Sequence, residues 1–303
     1  MGQVQWRERH FRSGGDLIAV HEAGSGVPLV FLHGGPGLDH RLMLALAEPL
    51  TRSHRCVLPD QRGSGSSRVD AEDDLLGLHV DRLIEDIEAL RVELGEERLR
   101  LVGWSWGAVL ALMYGAVHPQ RIERIAAIAP GPIPLELVDV YRANLLRPLN
   151  AEERARYVQL AEDMDQALHV GDAVAFRALN RELVILSSRV WFFSPEKAAD
   201  FVDSYLDLAG DPYNAARVNR TILSSLGEFP AWDRMGAWEA PTLVVYGYQD
   251  FEPITQAHTI KEWVPQTRIF FINECGHYPW LEQPGRLYHE LQNFFSAHPA
   301  NEA

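Results

Sequence analysis

The pentapeptide Gly103-Trp104-Ser105-Trp106-Gly107 constrains this chain more than any other stretch. It follows the apolar run Leu99 to Val102 and precedes a small-residue apolar helix expected over Ala108 to Val117, which ends before Pro119. A strand, a tight turn and a helix must therefore meet at one serine. Glycine on either side keeps Cβ atoms out of the way of the neighbouring strand and helix. The same alternation recurs nearby. Leu29 to Leu32 and Arg55 to Leu58 are short apolar runs that stop at Gly/Pro signals, and Arg124 to Ala129 reads as a further strand. Ahead of Leu99, Leu83, Ile87, Leu90 and Leu94 recur at helical spacing. Short buried strands alternating with helices specify an α/β fold, a mostly parallel central sheet flanked by helices.

The alternation breaks at Pro130-Gly131-Pro132-Ile133-Pro134. From about Leu135 to Trp232 the periodicity is helical, most clearly over Ala151 to Val170 and Asp172 to Leu186. Strand patterns return at Thr242 to Tyr246 and Arg268 to Ile272, and a last amphipathic helix spans about Leu287 to Phe295. The expected organisation is a core domain of residues 1–131 and 236–303 interrupted by a helical domain of residues 132–235.

Composition narrows the function. The chain has 303 residues, 47% hydrophobic and 23% charged, which is ordinary for a globular protein. Lys+Arg 28 against Asp+Glu 42 gives a net charge of −14, a surface that repels phosphate backbones, so no nucleic-acid partner is expected. The two cysteines, Cys56 and Cys275, make no disulfide scaffold and are expected reduced. There is no secretory h-region and no apolar run of the ~18 residues a membrane span needs, so a cytoplasmic chain with no membrane partner is expected. HExxH and CxxC patterns are absent, and Gly63-Ser64-Gly65 lacks the third glycine of a dinucleotide fingerprint. Neither metal nor cofactor is expected. The expected partner is a small molecule or short peptide, and the oligomeric state stays open.

Ser105 sits where a strand-to-helix elbow exposes a nucleophile. A serine hydroxyl needs a base, and the base needs an orienting acid. Downstream, Asp250 follows the Thr242 to Tyr246 strand, and His277 follows the Arg268 to Ile272 strand, both just beyond strand C-termini. Glu252 is the nearby rival for the acid. A developing oxyanion needs two aimed N–H groups. The candidates are Trp106, next to the nucleophile, and Gly35 in the glycine-rich loop His33 to Gly37. His33 is expected to brace that loop by hydrogen bonds, and Asp60 and Arg62 to hold the loop beneath the site as a charge-assisted pair. Cys275 lacks an elbow and is not expected to act as a thiol nucleophile.

With these residues in hand, the chain resembles the α/β-hydrolase fold and, within it, the proline iminopeptidase family. The matching segments are HGGPG at His33 to Gly37, DQRGSGSS at Asp60 to Ser67, GWSWG at Gly103 to Gly107, the Asp250 loop and GHYPWLEQP at Gly276 to Pro284. The resemblance implies Ser105 as nucleophile, His277 as base, Asp250 as its partner and the inserted helices as a cap. It further implies release of an N-terminal residue, preferably Pro, from short peptides or amino-acid amides, with cap glutamates holding the free amine. Glu182 and Glu228 are the candidates for that task, with Gly34 and Trp191 as further substrate contacts. The sequence departs from the family in two places. Trp104 stands where the elbow usually has Gly, and no ENHYF-like cap segment is found. Two other readings stay open: an esterase, lactonase or C–C bond hydrolase acting on an uncharged small molecule, and a receptor-like binding protein with negligible turnover.

Overall fold

The computed structural model describes residues 4–67, 75, 77–133, 135–229 and 231–296. Eight strands make one sheet: β1 (Arg7–Ser13), β2 (Asp16–Ala23), β3 (Pro28–Leu32), β4 (Arg55–Pro59), β5 (Leu99–Trp104), β6 (Ile122–Ile128), β7 (Thr242–Gly247) and β8 (Thr267–Ile272). Their order across the sheet is β1-β2-β4-β3-β5-β6-β7-β8. From β4 to β8 every neighbouring pair is parallel, and β1 and β2 are antiparallel additions at one edge. Strands β3 and β7 are buried at every residue, as strands covered on both faces must be.

Helices α1 (Val80–Leu94) and α2 (Trp106–Val117) follow β4 and β5, while α8 (Gln256–Trp263) and α9 (Pro284–Ser296) flank β8. Nearly all of α2 is buried, which explains its uniformly small apolar sequence. Between β6 and β7 the chain runs through α3 (Val138–Leu146), α4 (Ala151–His169), α5 (Ala173–Trp191), α6 (Pro195–Leu208) and α7 (Pro212–Ser225). Local chemistry sets these boundaries. Asn150 and Glu153 form a capping box at α4, and Asp172 caps α5 by accepting from Ala175 N at 2.9 Å. Ser194-Pro195 and Asp211-Pro212 place a capping side chain before a first-turn proline at α6 and α7. No helix among the described residues is long and apolar enough to cross a membrane.

The expected core strands and helices are present, each within a few residues of its expected ends. Four helices, α3, α6, α7 and α8, and the β1–β2 hairpin go beyond the sequence reading. The hairpin turns at Gly14 and Gly15, both at positive φ (57° and 97°), a turn conformation glycine adopts without strain.

Candidate active site

Four loops at the C-terminal ends of β3, β5, β7 and β8 meet at one place, the position where parallel sheets expose their sites. Ser105 caps α2 with φ 54° and ψ −122°, a backbone conformation in which L-residues are strained. A Cβ on Gly103 or Gly107 would run into the backbone of α2 or of β3, so the positions flanking this turn are held to glycine. Beyond β7, Asp250 is buried and accepts from His277 Nδ1–H at 3.0 Å (Oδ1) and 3.2 Å (Oδ2). A carboxylate only accepts, so this contact fixes the ring proton on Nδ1 and leaves Nε2 its lone pair. Ser105 and His277 line the same cavity, of about 400 Å³.

Gly35 and Pro36, joined by a cis peptide bond, line that cavity as well. Neither the Gly35 nor the Trp106 N–H finds an acceptor among the described residues. The elbow and the glycine-rich loop are tied together through Gln61. Its Oε1 accepts from Trp106 Nε1 at 2.9 Å, its Nε2 donates to His33 O at 2.7 Å, and its N–H donates to His33 Nε2 at 3.0 Å. His33 Nδ1–H then donates to Gly34 O at 2.9 Å. The ring is fully buried, and desolvation holds its pKa below the usual value, so it stays neutral in this bracing position. Gly34 itself is off the cavity wall. A Cβ there would lie 2.9 Å from the Trp104 ring and 3.3 Å from Ser105 Cβ.

The expected Asp60–Arg62 pair does not form. The chain turns at Gln61 and sends the two side chains to opposite partners. Asp60 accepts from His21 Nε2 (3.2 Å), His40 N (2.9 Å), His40 Nδ1 (2.8 Å) and Ser66 N (2.9 Å). Burial opposes ionisation of Asp60, but the hydrogen bonds from His21 and His40 outweigh it and hold the carboxyl well below its ordinary range. Arg62 instead clasps Asp86 on α1 through Nε (3.1 Å) and a terminal nitrogen (2.6 Å), and also pairs with Asp16. The ligand-capable atoms of His21, His40 and Asp60 come within 4.8 Å of one another, but both imidazoles already face Asp60 as hydrogen-bond partners, so a hydrogen-bonded hub accounts for them.

Trp191 lines the cavity. Glu182 does not. It is exposed on α5, where Arg156 holds its carboxylate. Glu228 ends a short 3-10 turn, and its side chain lies outside the described residues. No Asp, Glu, Lys or Arg among the described residues lines the cavity. Its polar groups beside Ser105 and His277 are tyrosines, Ser187, Asn180 and Asn219. Cys275 is buried and free, its thiol pushed up by burial and so kept from the reactive thiolate form.

Two contributors escaped the sequence reading. Trp104, the departure from the family elbow, is buried beneath the site, donates from Nε1 to His277 O at 3.1 Å and packs on His277, Tyr278 and Trp280. Glu282 joins the His277 loop to the inserted helices. Its Oε2 accepts from Gly276 N at 2.6 Å, and its Oε1 accepts from Phe193 N and Ser194 N, both at 2.9 Å. His277 N–H donates to Trp191 O at 2.7 Å, and Lys197 Nζ donates to Glu282 O at 3.2 Å. A Cβ on Gly276 would collide with the Trp191 carbonyl, so glycine is required for this approach.

The sequence profile of the alpha/beta hydrolase fold matches residues 27–284. Among curated relatives, a cis-3-alkyl-4-alkyloxetan-2-one decarboxylase from Shewanella oneidensis is 26% identical, over 95% of this chain and 88% of its own. A proline iminopeptidase from Neisseria meningitidis is 28% identical, over 86% of each chain. Among solved structures, 2-hydroxy-6-oxo-6-phenylhexa-2,4-dienoate hydrolase from Rhodococcus sp. strain RHA1 superposes with a TM-score of 0.69 at 22% identity, over 97% of this chain and 100% of that one.

Proposed function

The chain belongs to the alpha/beta hydrolase fold family and is a hydrolase; from that premise we propose that Ser105 is its nucleophile and that its substrate is a neutral ester, lactone or amide. Ser105 Oγ attacks the carbonyl carbon as its proton passes to His277 Nε2. Asp250 keeps the ring in the required tautomer and stabilises the imidazolium. The N–H groups of Trp106 and Gly35 hold the oxyanion. His277 then returns the proton to the leaving alcohol or amine, leaving an acyl-enzyme. Water, deprotonated by His277, attacks that acyl group, releasing the acid and restoring Ser105. Residues 132–235 serve as a cap domain over a core of residues 1–131 and 236–303.

The single observation that carries the substrate class is that no Asp, Glu, Lys or Arg among the described residues lines the cavity on which Ser105 and His277 open. A free ammonium group bound there would lose its hydration and meet no counter-charge among the described residues. The Shewanella relative's name specifies an alkyl-substituted oxetanone, a neutral cyclic ester of the same class. The competing reading, a prolyl aminopeptidase, is favoured by the HGGPG and DQRGSGSS segments and by the relatives of that name.

Steady-state hydrolysis of p-nitrophenyl butyrate and of a prolyl arylamide tests both, with Ser105→Ala as the blank. The expected result is ester turnover that falls about 10⁶-fold in kcat on Ser105→Ala. Preference for the prolyl amide, lost when its amine is blocked, overturns the neutral-substrate reading. Turnover that survives Ser105→Ala overturns the mechanism. Stoichiometric acylation without turnover supports the receptor-like alternative.

A further inference from the structure

The cavity beside Ser105 carries amides that the protein itself does not use. Asn180 on α5 and Asn219 on α7 both line it, and neither has a hydrogen-bond partner among the described residues. The half-buried asparagines elsewhere behave differently. Asn144 Nδ2 donates to Phe251 O at 3.0 Å, and Asn214 Nδ2 donates to Gly63 O at 2.9 Å. Both side chains are half-buried, so a ligand that displaces water from the cavity must pair these amides itself.

Their setting defines what such a ligand looks like. On α5 the cavity-facing residues include Phe176, Asn180, Val184 and Trp191, a stripe at helical spacing. The Trp191 end touches His277 through its carbonyl. The helical rise puts Asn180 about 16 Å along the axis from Trp191. Between them α5 presents Leu183, Val184 and Ser187 to the cavity.

We propose that Asn180 and Asn219 form a polar subsite for the substrate's far end. The substrate is then a neutral carbonyl compound whose apolar chain carries an uncharged hydrogen-bonding group, such as a hydroxyl, remote from the scissile carbonyl. An asparagine amide both donates and accepts, so it selects for hydrogen-bonding capacity rather than charge. The proposal rests on the hydrolase reading above for which end of the cavity is reactive.

Ketones test it without turnover, because they present a carbonyl but have no leaving group. Binding of octan-2-one, 8-hydroxyoctan-2-one and 8-aminooctan-2-one to Ser105→Ala protein is followed through tryptophan fluorescence, Trp104 and Trp191 both lining the cavity. The hydroxy ketone is expected to bind tightest. Asn180→Leu with Asn219→Leu is expected to reverse the order of the hydroxy and plain ketones, changing their Kd ratio by about tenfold. A ratio unmoved by both substitutions overturns the subsite. Tightest binding of the amino ketone overturns the uncharged class, and so does failure of all three to bind. The hydrolase reading fails separately, through absence of Ser105-dependent turnover of p-nitrophenyl butyrate, and that failure leaves the ketone ratios interpretable.

Discussion

Asp250 and Glu252 carry the same functional group in two different settings. The Asp250 carboxylate accepts from the His277 ring and from Glu252 N at 3.0 Å. Glu252 is buried and its Oε2 has no partner among the described residues. Burial first, and the charge of Asp250 second, push its carboxyl well above the usual range, so it stays protonated. The folded chain therefore holds a proton there that the unfolded chain releases above the ordinary glutamate value of about 4.3. Stability from this group is full below that value and declines as pH rises toward the folded value. Glu252→Gln keeps the shape and removes the linkage. Its melting temperature relative to wild type is expected to climb from pH 5 to pH 8, with ester turnover within about twofold of wild type. A difference that stays flat across that range overturns the assignment. From the sequence, both acids were open to the same role, because both follow one strand; only the hydrogen bonds separate them. Arg62 teaches the same lesson. Its partner Asp86 lies on a helix whose face toward the turn depends on tertiary packing, which residue spacing does not encode.

At the level of elements, the junction between α5 and α6 is fastened to the loop after β8 through Glu282. The motif GHYPWLEQP is legible in the sequence, but the work of its glutamate is not, because its partners Phe193 and Ser194 are backbone groups from a distant segment. Two carboxylate oxygens serve three N–H groups here. Glu282→Gln replaces one acceptor by a donor. Its remaining oxygen can satisfy the pair at Phe193 and Ser194, while its NH₂ would face the Gly276 N–H. The expected outcome is a kcat about tenfold lower with KM nearly unchanged, because the insertion stays docked while the His277 loop loses its tie. Lys197→Met severs a neighbouring tie to Glu282 O and leaves the Gly276 contact intact, so it is expected to lower the melting temperature but keep kcat. Equal loss of kcat in the two variants would reduce Glu282 to a structural clamp.

Across the whole molecule, Asp60 links β2 through His21, the end of β4, and the turns at His40 and Ser66. Its depressed carboxyl contributes stability above the ordinary aspartate value of about 3.9, and that contribution is lost as pH falls. Asp60→Asn is expected to be less stable than wild type at pH 7, with the gap closing toward pH 3 in denaturant titrations; a gap that widens in acid refutes the hub. Parallel strands β3 to β7 were legible because each is a largely buried apolar run with a Gly/Pro stop, and β8 through its run Ile269 to Ile272, although it is buried only at its ends. The β1 strand was not, since RERHFRS at a sheet edge buries only Phe11 and Ser13 and reads as a polar stretch. The helical insertion leaves and re-enters between β6 and β7, which pair directly from Ile125↔Thr242 to Ile128↔Val245. The pair is parallel, so the segment leaves at the C-terminal end of β6 and returns at the opposite end of the sheet to start β7, about 10 Å away along the strands and one strand spacing of about 4.8 Å across. Such a segment behaves as a cassette. Another of quite different length or helix number could be spliced between the same two strands without moving Ser105, Asp250 or His277. The splice would have to bring its own pair of adjacent backbone N–H groups to Glu282 and its own carbonyl to His277. Descendants of this scaffold can therefore change what they bind by exchange of one continuous stretch of gene, provided the new stretch also covers the apolar core surface that Phe192, Val218 and Ile222 now bury.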